Sequence, residues 1–568
     1  MKKTLLTIIV AAISYGGHAQ EVSILHNQVG CYPTQEKVVV VEGINPSTKI
    51  KVTNPKGKTS KHNVTRKAIS PFSNKERYIV DLGKISEIGS YKIEVGNKKC
   101  ELIVNERPYK DIAKASLRLF YLMRSGVAIE NSGVFNRPIG HPDTQVLIHP
   151  SAASPQRPAA TVISSPYGWY DAGDYNKYVV NSSFSIGLMF AAYEQLTDYF
   201  ADLKTDIPES NNHTPDFLDE MMFNLKWLLT MQDPFDGGVY HKLTTPSFEG
   251  FVMPTDCHQQ RYVVAKSVTA SLDFAAVMAD AARLFEPYKS DYPQFPKLAT
   301  EAAEKAFQWA KQNPQAYYHQ EKLKDPAVST GTYGDNNAND EFFWAASALY
   351  RLTKKTEYLE MAKQYQPKYF SIPTWGNVAS LGAFEWINDP QMTELRNEMI
   401  TQMLANCESA IKDIEKSSFQ SPFGNKAQDF GWGCLSEKCC NQAIVLLLAD
   451  QIQGNDKYRR YALQNADYLL GRNATGYCYV TGFGTKSPMN PHHRISAADN
   501  VKDPFPGMLV GGPNPAQQDK TDGLTYPSNL PDESYIDAMP SYASNEIAIN
   551  WNASLVAFLC WLDALAMK

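Results

Sequence analysis

The apolar pattern of this chain changes period near residue 106, and that change limits the folds open to it more than any other feature. Before it, the runs KVVVVEG, KIKVTNPKG, RYIVDLG and YKIEVGNKKCELIV are short, rich in β-branched residues and punctuated by Asn-Pro-Lys-Gly and Gly-Asn. Such runs read as strands. In the last of them Tyr91, Ile93 and Val95 alternate with polar residues, Gly96-Asn97 supplies a turn with φ > 0, and Cys100, Leu102 and Val104 return, which makes a hairpin. Strands of this kind over residues 21–105 suit a small immunoglobulin-like β-sandwich.

After Pro108 the period becomes helical. YKDIAKASLRLFYLMRSG sets Ile112, Ser116, Leu119 and Met123 at spacings of three to four and closes on Gly126. Counting this run, eleven helical runs lie between here and NEIAINWNASLVAFLCWLDALA, with no strand pattern between them. One of them opens on Thr214 as N-cap with Pro215 at the first helical position. Residues 106–568 are therefore expected to be one mainly α domain, and a closed barrel of helical hairpins would use about a dozen helices. Three loops, at about 127–183, 234–262 and 471–543, are long and rich in Gly, Pro, His and aromatics, the places where chemistry is carried.

Charge and the N-terminus narrow the setting. With 55 Lys+Arg against 60 Asp+Glu, the net charge of −5 argues against a nucleic-acid-coating protein. Met1-Lys2-Lys3, the apolar run Leu5–Ile13 and the small residues before Gln20 have the sections of a signal peptide over residues 1–20, so a secreted or periplasmic protein is expected. No Cys stands at the cleavage point to take a lipid, and no membrane segment is expected, the longest obvious later apolar run being Ala443–Ala449. The nine cysteines are an odd number, and the cluster Cys434, Cys439 and Cys440 lacks zinc spacing, so buried thiols or one local disulfide are expected there.

Three constellations carry candidate chemistry. In YGWYDAGDYNKY, Asp171 and Asp174 flank Ala172-Gly173; two carboxylates this close can share one small space, where repulsion and partial burial can raise a pKa and one can orient water while the other assists, or they can serve a Ca²⁺ loop or a solvated turn. In YIDAMPSYASNEIAINWNASL, Asp537 lies in a loop and Glu546 stands at the start of an apolar helix, where it is either a carboxylate favoured by the helix dipole or a proton donor raised by apolar neighbours. In YCYVTGFGTKSPMNPHHRISAAD, His492, His493 and Arg494 suit hydroxyl recognition or a structural role. Trp169, Tyr170, Trp375, Trp432, Tyr542 and Trp551 are candidates for stacking on sugar rings, with core packing the alternative for each.

Taken together, these three segments resemble glycoside hydrolase family 9, an inverting family with many cellulases, and the opening NQVGCYP is similar to the immunoglobulin-like module that precedes the barrel in one of its branches. The resemblance implies an (α/α)6 barrel of six hairpins. It makes Asp174 the general base, Asp171 its helper in holding water and Glu546 the general acid, with base and acid about 6.5 to 9.5 Å apart. It further makes His492 and Arg494 ligands of sugar hydroxyls, Tyr542 a lining residue beside Trp169, Trp432 and Trp375, and Asp537 a supporting carboxylate. No cofactor is required for such chemistry. Asp335, Asp340 and Glu341, in GTYGDNNANDEFFW, resemble a structural Ca²⁺ site, with helix N-capping the alternative. Cys478 and FGWGCLSEKCCNQA depart from the family pattern, and the segment GHPDTQVLIHPSAASPQRPAATVISSP looks more like branches that include exo-acting glycosidases. The expected protein is a monomeric endo-β-1,4-glucanase acting on cellulose, mixed-linkage glucan or xyloglucan. The alternatives are an exo-acting β-glucosidase or β-glucosaminidase and a non-catalytic glycan-binding protein.

Overall fold

The structure is a computed structural model that describes residues 21–83 and 85–567. The signal peptide expected over residues 1–20 lies outside the described residues. Eight strands form the N-terminal sandwich: β1 (Ser23–Leu25), β2 (Val38–Glu42), β3 (Ile50–Thr53), β4 (Thr59–His62), β5 (Arg66–Ile69), β6 (Glu76–Asp81), β7 (Gly89–Val95) and β8 (Lys98–Val104). They make two antiparallel four-stranded sheets, in the orders β1-β2-β6-β5 and β4-β3-β7-β8. The β7–β8 hairpin turns on Gly96-Asn97, with Val95 paired to Lys98. Four successive valines in β2 break the usual alternation because the strand is buried on both faces: Val39 and Val41 face the sandwich core, and Val38 and Val40 join the core of the second domain.

Twelve long helices follow among the described residues and alternate outer and inner in chain order: α1 (Lys110–Leu122), α2 (Val179–Gln195), α3 (Asp216–Thr230), α4 (Val268–Leu284), α5 (Phe295–Gln312), α6 (Asn339–Thr353), α7 (Thr356–Tyr365), α8 (Ala379–Asn388), α9 (Thr393–Lys416), α10 (Gln442–Gln453), α11 (Lys457–Leu469) and α12 (Ile549–Ala564). Outer helices pack on the inner helix that precedes them, α5 on α4, α7 on α6, α9 on α8 and α11 on α10, and α1 packs on α12. The even-numbered helices form the inner ring. α2 packs on α4, α4 on α6, α6 on α8, α10 on α12 and α12 back on α2, while α9 bridges α8 and α10. Every side chain of α12 is buried, whereas outer helices such as α9 bury one stripe. By length and composition Ile549–Met567 is apolar enough to cross a membrane, a run longer than the sequence reading allowed; 89% of it is packed inside the barrel.

The helix absent from the sequence reading is α8. It has ten residues, is buried nearly all round and so lacks a periodic polar face, and contains Gly382, where a Cβ would stand 2.6 Å from Phe343 Cδ1 of α6. Two further expectations are corrected. Thr214 does not cap α3, which starts at Asp216; its hydroxyl donates instead to Asp291 Oδ2 at 2.8 Å. The second domain is not free of strands: β9 (Val146–Ile148), β10 (Val162–Ile163), β11 (Lys177–Tyr178), β12 (Lys242–Thr244) and β13 (Tyr262–Val263) form a small sheet in the order β10-β9-β13-β12-β11, too short to show a period in sequence. All nine cysteines are free thiols.

The sandwich is built into the barrel by polar groups. Buried Arg77 reaches Glu42 at 2.8 Å, Asp532 at 3.0 Å and the Ser418 hydroxyl at 2.9 Å, with its guanidinium 4.0 Å from the centre of the Phe419 ring. Asn27 and Gln35 donate to Asp467 at 2.9 and 3.1 Å, Tyr32 donates to the Leu562 carbonyl, and Arg107 pairs with Asp563. Gln28 Oε1 accepts from the backbone N–H groups of Thr485 and Lys486, both at 2.9 Å. Removing one member of a buried ion network strands the others, so Arg77→Ala is expected to cost about 3–5 kcal/mol of stability, read as a lowered Tm in calorimetry.

Candidate active site

Asp171 and Asp174 enter the site on the loop that leads through β11 into α2, and Glu546 sits on the extended segment that leads into α12. These segments meet directly. Ala172 bridges Ala548, the Ile549 N–H donates to the Asp171 carbonyl at 2.8 Å, and the Gly173 N–H donates to Glu546 Oε1 at 3.3 Å. Glu546 is therefore not at a helix start, as the sequence suggested, but three residues ahead of one, with extended dihedrals (φ −72°, ψ 158°) and its backbone tied to Gly511 and to the His492 strand. Gly173 is required by the close approach: a Cβ there would run into the His492 carbonyl oxygen and stand 2.8 Å from His492 Cδ2.

Each carboxyl has its own surroundings. Asp171 is buried, with Oδ1 accepting from Asn181 Nδ2 and Oδ2 from the Tyr333 hydroxyl, both at 2.7 Å. Burial first, and then the charge of Asp174, push its carboxyl well above the usual carboxylate range. On Asp174, Oδ2 takes three donors: Asn176 Nδ2 at 2.5 Å, the Asn176 N–H at 3.3 Å and the Tyr178 hydroxyl at 3.1 Å. Burial also pushes Glu546 well up, aided by the charges of Asp174 and Asp171 and opposed by Arg494 and the Gly173 N–H. The arrangement thus sets the raised carboxyl of Glu546 beside a carboxyl pair in which Asp171 is also raised, an environment suited to paired acid and base work.

His492 and Arg494 do different things. Burial and the Arg494 charge lower His492 to about 4, and since Nδ1 lies 2.8 Å from the Met539 carbonyl it carries the ring proton, leaving Nε2 as an acceptor. Its ring meets Phe251 edge-on at 5.2 Å and Tyr542 at 6.0 Å. Arg494, expected to hold sugar hydroxyls, gives two of its donors to backbone: Nη1 donates to the Gly173 carbonyl at 2.7 Å and Nε to the Glu249 carbonyl at 2.8 Å, so it also fixes the loop between the two aspartates. Asp537 likewise clamps backbone: it accepts from the N–H groups of Met489 and Asn490 at 2.8 Å and from Asn545, holding the His492 loop against the Glu546 segment.

The aromatic candidates divide by exposure. Trp432 is 51% exposed and lies 5.8 Å from Tyr542 at 31°, an open platform beside His492. Trp375 is partly buried and meets Tyr333 edge-on at 5.1 Å, above Asp171. Trp169 is a correction: it is fully buried, donates to Glu220 at 2.8 Å and packs 4.6 Å from Phe120, so it is core and offers no face to a sugar. Sequence reasoning missed Asn176, Tyr178, Asn181 and Tyr333 as partners of the carboxyls. Asn176 and Tyr178 stood in the motif already singled out, whereas the register of Asn181 and Tyr333 depends on the fold. Among the described residues no three metal-ligating side chains gather at one point. Near Asp335, Asp340 and Glu341, however, buried Asp273 has both carboxyl oxygens without a hydrogen-bond partner, as has Glu341 Oε2; burial raises both groups, and Asp340 and Asp335 add their charges to Asp273. Orphaned carboxyl oxygens of this kind fit a hard cation such as Ca²⁺.

A helical barrel whose loops bring a raised carboxyl and a carboxyl pair together beside an aromatic platform has the parts of a glycoside hydrolase. Residues 109–559 match glycosyl hydrolase family 9, and residues 19–99 match the cellulase N-terminal ig-like domain. The chain belongs to glycosyl hydrolase family 9. It is 52% identical over 558 residues to the xyloglucan-specific endo-beta-1,4-glucanase BoGH9A of Bacteroides ovatus, covering 95% of this chain and 94% of that protein. It is 33% identical over 508 residues to endoglucanase D of Acetivibrio thermocellus, covering 87% and 76%. A solved Bacteroides ovatus GH9 structure superposes with a TM-score of 0.91 at 51% identity, over 96% of this chain and 99% of that one. Displacing a reacting group by an ångström costs about 10²-fold in rate, so Gly173→Ala is expected to lower kcat/KM on a chromogenic cello-oligosaccharide by at least about 10²-fold with the fold retained by circular dichroism.

Proposed function

We propose that the protein is an exported, inverting endo-β-1,4-glucanase whose polymer is xyloglucan. The observation that carries the reaction is the tie between the Gly173 N–H and Glu546 Oε1, which sets the raised acid against the Asp171–Asp174 pair. In this reading Asp174 removes a proton from water, Asp171 holds that water, and Glu546 protonates the departing glycosidic oxygen. Water attacks the face opposite the leaving group, so a β-linkage gives an α-anomer. His492 Nε2 accepts a hydrogen bond from a sugar hydroxyl at the cleavage point, and Arg494 and Asp537 position the loops. Xyloglucan is supported by the likeness to the Bacteroides ovatus enzyme over nearly the whole of both chains. The half-exposed side chains of Trp432 and Phe248 support an open cleft.

Expected on xyloglucan are a rapid fall in viscosity, mixed oligosaccharides and an α-anomer as the first product in proton NMR; release of monosaccharide alone would mean a closed pocket and an exo mode. Glu546→Gln should lose about 10²–10⁴-fold in kcat on xyloglucan and far less on an aryl glycoside whose leaving group needs no proton. Since Glu546 must keep its proton and Asp174 must lose one, the pH–rate profile should be bell-shaped, with the alkaline limb set by the raised carboxyl of Glu546 and removed in Glu546→Gln.

We further propose that a structural Ca²⁺ draws together the neighbouring carboxyls of Asp273, Asp340 and Glu341, which do not meet at one point without it, with Asp335 adding charge nearby. Such an ion neutralises buried carboxylates and takes no part in the chemistry. Chelation should lower Tm by several degrees and added Ca²⁺ restore it, a response abolished by Asp273→Asn.

A further inference from the structure

Lys242, on β12, is buried and lies outside every motif of the sequence analysis. Its ammonium uses its three donors on Gly331 O at 2.6 Å, Gln320 Oε1 at 2.8 Å and Thr330 Oγ1 at 2.9 Å. It also sits 5.4 and 5.5 Å from the centres of the Tyr178 and Tyr318 rings, a setting suited to a cation. No carboxylate touches it among the described residues.

The strap it holds leads to both aspartates. The Gly331 N–H donates to the Tyr178 hydroxyl at 3.1 Å, which donates to Asp174 Oδ2 at 3.1 Å. Two residues on, Tyr333 donates to Asp171 Oδ2, and its ring packs 4.9 Å from that of Tyr178. The neighbouring His241 pins the residue between: Nε2 lies 2.7 Å from the Thr332 carbonyl and Nδ1 2.8 Å from the Ser267 hydroxyl. Burial keeps that imidazole neutral, at about 3. Gln320 closes the frame, its Nε2 donating to Thr330 O at 2.7 Å. The strap thus has one charged anchor, and the charged groups that anchor feels are Asp174 and Asp171.

We propose that Lys242 is a positioning residue of the reaction: its ammonium fixes the 330–333 strap, so that Tyr178 and Tyr333 are aligned on the two aspartates, and it sets a positive charge across the strap from them. The inference rests on the assignment of Asp174 as the base. Burial opposes the ammonium and lowers it to about 7, a fall that the charges of Asp174 and Asp171 partly offset. Cation and carboxyl pair thus stabilise one another across the strap.

The test compares Lys242→Met and Lys242→Gln with the parent enzyme on a soluble xyloglucan oligosaccharide, with Asp174→Ala alongside and thermal melts of each. Both Lys242 variants are expected to lose at least about tenfold in kcat with KM within about threefold. The acid limb of the pH–rate profile should move up by about one pH unit, since a carboxylate that loses a nearby cation holds its proton more tightly. Lys242→Gln retains a donor for the strap but no charge, so it should fold as the parent does while keeping the displaced limb. The proposal is overturned if Lys242→Gln has the parent profile, or if the activity lost in both variants merely follows the folded fraction with the acid limb unmoved. Full activity in Asp174→Ala would instead remove the base assignment itself.

Discussion

The first and last inner helices of the barrel lie side by side, and the site depends on that contact. α2 and α12 are far apart in sequence, yet closure of the ring sets them against each other, and the segments entering both meet at one rim through the Ala172–Ala548 bridge. The residues just before α2 are the carboxyl pair and those just before α12 include the acid. A ring of helical hairpins thus turns a separation of hundreds of residues into adjacent backbone, and a glycine at the crossing lets the strands come close enough to share hydrogen bonds.

Around that crossing the charges are arranged unequally. Three carboxyls occupy one largely buried space, and two cations answer them without touching them. Arg494 gives two of its donors to the carbonyls of Gly173 and Glu249, and Lys242 gives its own to the 330–333 strap and Gln320. Cations held this way act through space while backbone keeps them in place, so no direct ion pair drains the carboxyls of their reactivity. Hydrogen bonds then separate the roles: three donors on one oxygen of Asp174, a phenol and an amide on Asp171, and a single amide N–H on Glu546.

Much of this was legible in the chain. The change of period near residue 106 separated sandwich from barrel, because strands and helices bury side chains at different spacings. The carboxyls stood out because they sat among glycines and aromatics in loops. The signal failed where burial is complete or the element is short: α8 shows no polar face, and the strands of the small sheet are two or three residues long. Trp169 was misread, and the anchoring role of Arg494 missed, for a related reason. Sequence tells that an indole or a guanidinium stands near a site, but the fold decides whether it faces the cleft, the core or a carbonyl. Lys242 stood inside the loop at 234–262, but nothing in the sequence marked it there, since a lysine ordinarily lies at the surface.

The order of synthesis gives the sandwich an unusual dependence. It is made first, yet Arg77 waits for Ser418 and Asp532, Asn27 for Asp467, Tyr32 for Leu562 and Arg107 for Asp563, partners 341 to 530 residues later in the hydrogen-bonded pairs. Val38 and Val40 likewise have no apolar cover until the helices arrive. Until the later helices are made, Asn27, Tyr32, Val38 and Val40 lack the partners they have in the finished fold. Contacts this distant in sequence slow folding and lengthen the exposure of such groups. The chain is thus a single cooperative object that completes its first domain only by completing its last helix.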